Sequence, residues 1–320
     1  IKLYPVIKEL SKIHKVKVIH TGQHDELANQ MLKDLKIKVD INLKVMTKNQ
    51  NLTSLTIKLH KGLSEIYEKM KPELVIVQGD TTTAMVAALE AYYHKIPVAH
   101  IEGGLRTNDI YSPYPEEINR RIITQLAAYN FCSTKQAAIN CTKEGWGEVF
   151  QVGQTGIDTL LEFSKKIKVQ KKKKLLITLH RRENLTRINQ IAKKIAKFLS
   201  DNPSWKAIMP IHPNPTLKKA IYASNLPSIV KFVKPLPYFE MIREMKEASL
   251  IVTDSGGIQE EAPYLGTPVI FAREITERSE GILAGFTRFL GDEIKPFRVP
   301  SKKPPYGDGK AGRRIAKFLK

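Results

Sequence analysis

The stretch Val75-Ile-Val-Gln-Gly-Asp80-Thr-Thr-Thr83 passes from a short β-branched run through one glycine to a carboxylate and three hydroxyls, and an alanine-rich segment follows at once. A buried strand that empties into the start of a helix is the building block of a parallel sheet covered by helices. The same alternation runs outward in both directions. Strands are expected at residues 17–20, 74–78, 98–102, 130–133 and 149–152, with helices between them. Beyond a lysine-rich stretch the pattern restarts, with strands at 175–179, 206–211, 250–254 and 268–271 and a helix over 240–248. The fold class is α/β: two Rossmann-like, doubly wound domains with a linker near 153–169, which suits a length of 320 residues.

Composition narrows the function. The chain is 42% hydrophobic and 26% charged, with 18 Gly and 18 Pro, which fits a globular enzyme and excludes collagen, disorder and a disulfide scaffold. Apolar runs are strand-sized, and the first residues lack the apolar stretch of a signal peptide, so no membrane insertion and a cytoplasmic location are expected. With 52 Lys+Arg against 32 Asp+Glu, the net charge of +20 attracts polyanions and phosphorylated metabolites alike. The densest basic run, residues 165–174, has no interleaved aromatics to stack bases, so it reads as solvated surface and no nucleic-acid partner is expected. Cys132 and Cys141 lack the spacing of a metal site or a disulfide framework.

Chemistry in such sheets gathers at the carboxyl ends of strands. Four places qualify. Asp80 ends the quoted stretch, although it also suits a helix N-cap. Glu102 ends Val98-Ala-His-Ile-Glu102-Gly-Gly-Leu-Arg106, where two glycines let backbone approach a ligand, and Pro115-Glu116-Glu117 opens a helix shortly after. His180, in Thr178-Leu-His180-Arg-Arg182-Glu-Asn184, leaves a strand among dense charge and reads as a phosphate or acid/base group. Finally, Thr253-Asp254-Ser255-Gly256-Gly257 joins a strand to a helix in the layout of an anion site, with Glu261 set to reach ribose hydroxyls.

Taken together and in order, TGQH (21–24), VQGDTTT (77–83), HIEGGLRT (100–107), YSPYPEEINRR (111–121), LHRREN (179–184), DSGGIQEEAPYLGTPVI (254–270) and REITER (273–278) resemble the non-hydrolysing UDP-N-acetylglucosamine 2-epimerases of bacteria and archaea. That resemblance implies a GT-B-like arrangement with UDP-sugar in a cleft between domains 1–153 plus 305–320 and 154–304, a helix over 313–320 returning to the first, and a homodimer. It implies catalytic roles for Asp80, Glu102, Glu116 and His180, and substrate binding by Lys2, Leu236, Met241, Ser255, Gly256, Gly257, Glu261 and Arg278. Leu236 and Met241 stand where glutamine and phenylalanine are common around the uracil, Ser279 replaces a usual proline, and the family's first strand with its phosphate loop is expected to precede Ile1. Gln23 and His24 match a regulatory region, yet Glu26 and Asn49 depart from it, so activation by substrate is expected to be weak.

The chemistry accounts for these residue types. The C2 proton of an acetamido sugar is barely acidic, so the anomeric C–O bond must break first. Positive charge on C1 then acidifies C2–H, a carboxylate removes that proton, and a 2-acetamidoglucal forms. Cationic and N–H donor groups stabilise the departing UDP. No cofactor is required by this route, and no NAD, metal or PLP motif is present. A hydrolysing epimerase, a GT-B glycosyltransferase and a basic nucleic-acid-binding protein are the rival readings.

Overall fold

A computed structural model describes the chain except residues 23–25, 48–49 and 182–183, together with the side chains of Glu26 and Leu27. The readings of Gln23, His24, Asn49 and Arg182, and of the Glu26 side chain, lie outside the described residues. The chain divides into two compact units, residues 1–159 with 306–320, and residues 160–305.

Unit 1 holds a parallel pair, β1 (Ile19–His20) and β2 (Ile41–Asn42), and a four-stranded parallel sheet of β3 (Val75–Gln78), β4 (Val98–Gly103), β5 (Tyr129–Cys132) and β6 (Glu148–Gln151), in that order. Alternate strand residues face opposite ways, and both faces are covered. Val77 and Val98 pack with Leu59, Leu63 and Val86 from helices Leu52–Met70 and Thr82–Tyr93. Ala99, Ile101 and Phe131 face Val6 and Leu10 of helix Tyr4–Leu10 and Ile315 of helix Ala311–Phe318. Each such side chain, once buried, contributes about 1.5–3 kcal/mol. Asp158 fastens the returning helix by accepting from the N–H groups of Ala311 at 3.1 Å and Gly312 at 2.8 Å.

Unit 2 is one parallel sheet of β7 (Lys172–Thr178), β8 (Lys206–Pro210), β9 (Val230–Val233), β10 (Ala248–Thr253), β11 (Val269–Phe271) and β12 (Thr287–Phe289), ordered β12-β11-β10-β7-β8-β9. The chain starts in the middle, winds outward through β8 and β9, and returns to the other side of β7. The reversal falls between β7 and β10, which lie side by side with Thr178 opposite Thr253.

The structure corrects two readings of the middle of the chain. Residues 155–164, expected in a linker, form a helix, because Ile157 and Leu160 have an apolar interior to enter. The lysine run is only partly solvated: Lys172–Lys174 open β7, and Lys174 pairs with Glu244 and Glu247, which lets a basic residue lie along a sheet. Strands β2, β9 and β12 were not expected.

Candidate active site

In unit 1 the register of β4 against β5 slips between Ile101 and Gly103, and Glu102 takes a left-handed backbone with φ +68°. A bulge re-aims one side chain, and such a φ costs a glutamate about 1–3 kcal/mol, a strain typical of functional positions. Three donors converge on the buried carboxylate. Lys2 Nζ reaches Oε1 at 2.5 Å, Gln154 Nε2 reaches the same oxygen at 2.7 Å, and Gln78 Nε2 reaches Oε2 at 2.5 Å. Lys2, read from the resemblance as a nucleotide ligand, is thus placed against a carboxylate.

Asp80 is not the helix cap. That position belongs to Thr81, whose hydroxyl accepts from Ala84 N at 3.2 Å. The Asp80 carboxylate instead accepts from Arg120 Nη2 at 2.5 Å, and its carbonyl from Asn119 Nδ2 at 2.9 Å. His100 braces the turn before it by donating from Nε2 to Gly79 O at 2.8 Å, and burial pushes this imidazole down to about 4, so it stays neutral.

The adjacent glutamates divide their work at the start of helix Glu116–Leu126. Glu117 is fully buried and accepts from the backbone N–H of Thr107 and Asn108 and from Arg120 and Arg121, so it ties loop to helix. Among the described residues, Glu116 Oε2 is buried with no hydrogen-bond partner. Its lone pairs are therefore not taken up by a neighbouring donor. The glycines beside Glu102 correct a further expectation, since they admit protein and not ligand. A Cβ on Gly104 would lie 1.9 Å from Ala137 O, and one on Gly103 would meet Asn130, His100 and Cys141.

In unit 2, His180 and Asp254 follow β7 and β10 at the point where the winding reverses, which is where open α/β sheets take their ligands. Asp254 is fully buried. Its oxygens accept from His180 N at 3.0 and 3.1 Å, Arg181 N at 3.0 Å and Asn184 Nδ2 at 2.8 Å, and Oδ1 lies 3.1 Å from His180 Nδ1. The His180 side chain remains one-third exposed, its ring stacked on that of His212. Burial holds its pKa below the usual histidine value, with Asp254 opposing and Arg181, His212 and Arg273 reinforcing the shift.

Ser255 caps the short helix Gly256–Glu261, its hydroxyl accepting from Ile258 N. Gly256 lies under the Arg278 guanidinium, 2.4 Å from where a Cβ would stand, while Gly257 meets nothing closer than Ser255 Oγ at 3.9 Å. Arg278 pairs with Glu260 at 2.7 Å and with Glu277. Glu261 accepts from the Tyr238 hydroxyl at 3.0 Å, and burial beside that carboxylate holds the phenol above its usual pKa. Leu236 and Met241 are half-buried around Tyr238 in sequence, Met241 within helix Tyr238–Glu247. Gln78, Gln154, Arg120 and Asp254 carried no role from the sequence. Gln154 meets Glu102 only through the fold, whereas Asp254 stood in plain view after an apolar strand.

Residues 8–320 match the family model described as UDP-N-acetylglucosamine 2-epimerase. The chain belongs to this family. It is therefore an epimerase acting on a carbohydrate, of the α/β, GT-B-like fold class. The UDP-N-acetylglucosamine 2-epimerase of Campylobacter jejuni is 38% identical over all of this chain and 94% of its own length. The crystal structure of the Neisseria meningitidis UDP-GlcNAc 2-epimerase bound to UDP-GlcNAc is similar with a TM-score of 0.93 at 36% identity, covering 99% of this chain and 95% of that one. That of the Methanocaldococcus jannaschii UDP-GlcNAc 2-epimerase in complex with UDP-GlcNAc and UDP gives 0.85 at 32%, with the same coverage. No described helix of this epimerase is long and apolar enough to cross a membrane.

Proposed function

We propose that the protein is a non-hydrolysing epimerase that interconverts UDP-GlcNAc and UDP-ManNAc by eliminating UDP and adding it back. What supports this best is the difference between two carboxylates of unit 1: Glu102 is held by Lys2 and two amides, whereas Glu116 keeps a buried oxygen without a partner. A fixed, charge-paired carboxylate suits stabilisation of a cation at C1, and an unoccupied lone pair suits acceptance of a proton. Asp80, oriented by Arg120, is the third acid/base group. As the C1–O bond breaks, its electrons leave with UDP. The C2–H electrons form the C1=C2 bond, and the proton passes to a carboxylate. Protonation of the opposite C2 face and attack of UDP on C1 complete the exchange.

Unit 2 supplies the leaving-group side. His180, Ser255 and Arg278 present N–H or O–H donors and positive charge to a diphosphate, Glu261 receives the ribose, and Leu236 and Met241 flank the uracil. Ser255→Ala is expected to weaken UDP binding roughly tenfold in titration calorimetry, the scale of a hydrogen bond to a charged group. Arg278→Ala should weaken it at least as much. It should also lower thermal stability, because Glu260 and Glu277 each lose a buried ion-pair partner. Unchanged UDP affinity in both variants would remove the anion site from unit 2.

The reading includes a cytoplasmic homodimer. Its decisive test is turnover of UDP-GlcNAc in D₂O. UDP-ManNAc deuterated at C2, with UDP retained at C1, is the expected product. Deuterated free ManNAc with UDP would make the enzyme a hydrolysing epimerase, and a requirement for an acceptor sugar would make it a glycosyltransferase. Product that keeps its original C2 hydrogen would refute elimination.

A further inference from the structure

We propose that Asp254 is a positioning residue for His180, fixing the imidazole so that Nε2, and not Nδ1, faces the leaving diphosphate. The inference rests on the functional reading given above for His180 and deepens it. Among the described residues, every polar neighbour of the Asp254 carboxylate is a nitrogen: the N–H of His180 and Arg181, the Asn184 amide and His180 Nδ1. A carboxylate surrounded in this way is an acceptor only, so the nitrogen facing it carries the proton. With Nδ1 at 3.1 Å from Asp254 Oδ1, the ring edge bearing Nε2 is turned away from that carboxylate, and one-third of the side chain is exposed.

The placement comes from the sheet. Thr178 and Thr253 are opposite each other at the ends of the two central strands, and their hydroxyls meet at 2.5 Å. Asp254 N donates to Thr178 O at 3.2 Å, so the loops that carry His180 and Asp254 leave the sheet already tied together. Because two backbone N–H groups and a side chain hold one carboxylate, the ring has little freedom to flip. The His212 ring stacked on His180 at a centroid distance of 5.9 Å restricts it further.

Asp254 also opposes its surroundings. Burial, Arg181, His212 and Arg273 all disfavour the imidazolium, and Asp254 favours it. An imidazolium donates from Nε2 to the β-phosphate oxygen as UDP leaves, so the protonated ring is the active form and activity falls as pH rises through its pKa. Loss of the Asp254 charge moves that fall to lower pH.

The experiment combines two readouts on the full chain. In ¹⁵N-histidine NMR of the unmodified protein, neutral His180, assigned by its loss in His180→Asn, should carry its proton on Nδ1. The pH profile of kcat/KM for Asp254→Asn should have its alkaline limb at least about one pH unit lower than in the unmodified enzyme, the shift expected of a lost opposite charge. In a His180→Asn background, Asp254→Asn should change the rate by less than about twofold, since residues acting as one unit are not additive. A neutral His180 protonated on Nε2 would overturn the proposal. So would a pH-independent rate loss of equal size in both backgrounds, which marks a structural role alone. If Asp254→Asn does not fold, the tautomer of the unmodified protein decides. If UDP-GlcNAc is not epimerised at all, the functional reading fails, while the spectrum still tests the histidine–aspartate pair.

Discussion

Glu102→Gln is expected to lower kcat by about 100-fold or more, the scale of a lost acid/base or charge-stabilising group, with UDP affinity unchanged. The neutral amide would still fill the space, but it brings an NH₂ to a place where Lys2, Gln78 and Gln154 already supply donors. It also removes the charge that a cation at C1 needs. Asp80→Asn and Glu116→Gln should fall to a similar level for a different reason: each loses the ability to take or return a proton. Initial rates with UDP-GlcNAc, alongside calorimetry with UDP, separate these effects. Near-normal kcat in all three would take the chemistry away from these carboxylates.

Gly104→Ala should be among the most damaging small substitutions in the protein. Residue 104 has φ +86°, and an added methyl would lie 1.9 Å from Ala137 O and 2.6 Å from Ala137 C, both in the backbone of helix Lys135–Glu144. The left-handed conformation costs about 1–3 kcal/mol in a residue with a Cβ, and forcing apart a packed helix and strand adds a comparable amount. A loss of about 3–5 kcal/mol lowers the melting temperature of a unit this size by on the order of 10 °C. Thermal denaturation followed by circular dichroism measures it. A melting temperature within about two degrees of the unmodified protein would mean that the helix yields freely at this contact.

The parallel sheets were legible because buried parallel strands are continuous apolar runs, as at Val75–Val77, Leu175–Ile177 and Leu250–Val252. Residues 155–164 were misread because Gly153 and Gly156 punctuate a segment whose helical face, Ile157 and Leu160, becomes apparent only when there is a core to bury it. Glu102 stood out as a charge at the end of an apolar strand, where a purely structural use is uncommon, and Asp80 follows another such strand closely. What could not be read was how charge would be shared. Nothing local distinguishes Glu116 from Glu117, yet the helix turns one into a knot of four neighbours and leaves the other with an oxygen unmet. Gln154 lies 52 residues from Glu102, and no sequence period joins them.

Unit 1 is interrupted in chain order: residues 160–305 come between its main body and the helix Ala311–Phe318 that covers Val6, Leu10 and Phe131. A ribosome therefore delivers all of unit 2 before it delivers that cover. At elongation rates of roughly 5–20 residues per second the delay is on the order of ten seconds, long compared with the folding of a continuous domain. During that interval the Ala99, Ile101 and Phe131 face of the growing chain has helix Tyr4–Leu10 to cover it but lacks Ile315 and Ala316. A stabilising substitution elsewhere in unit 1 would raise the melting temperature without shortening that interval.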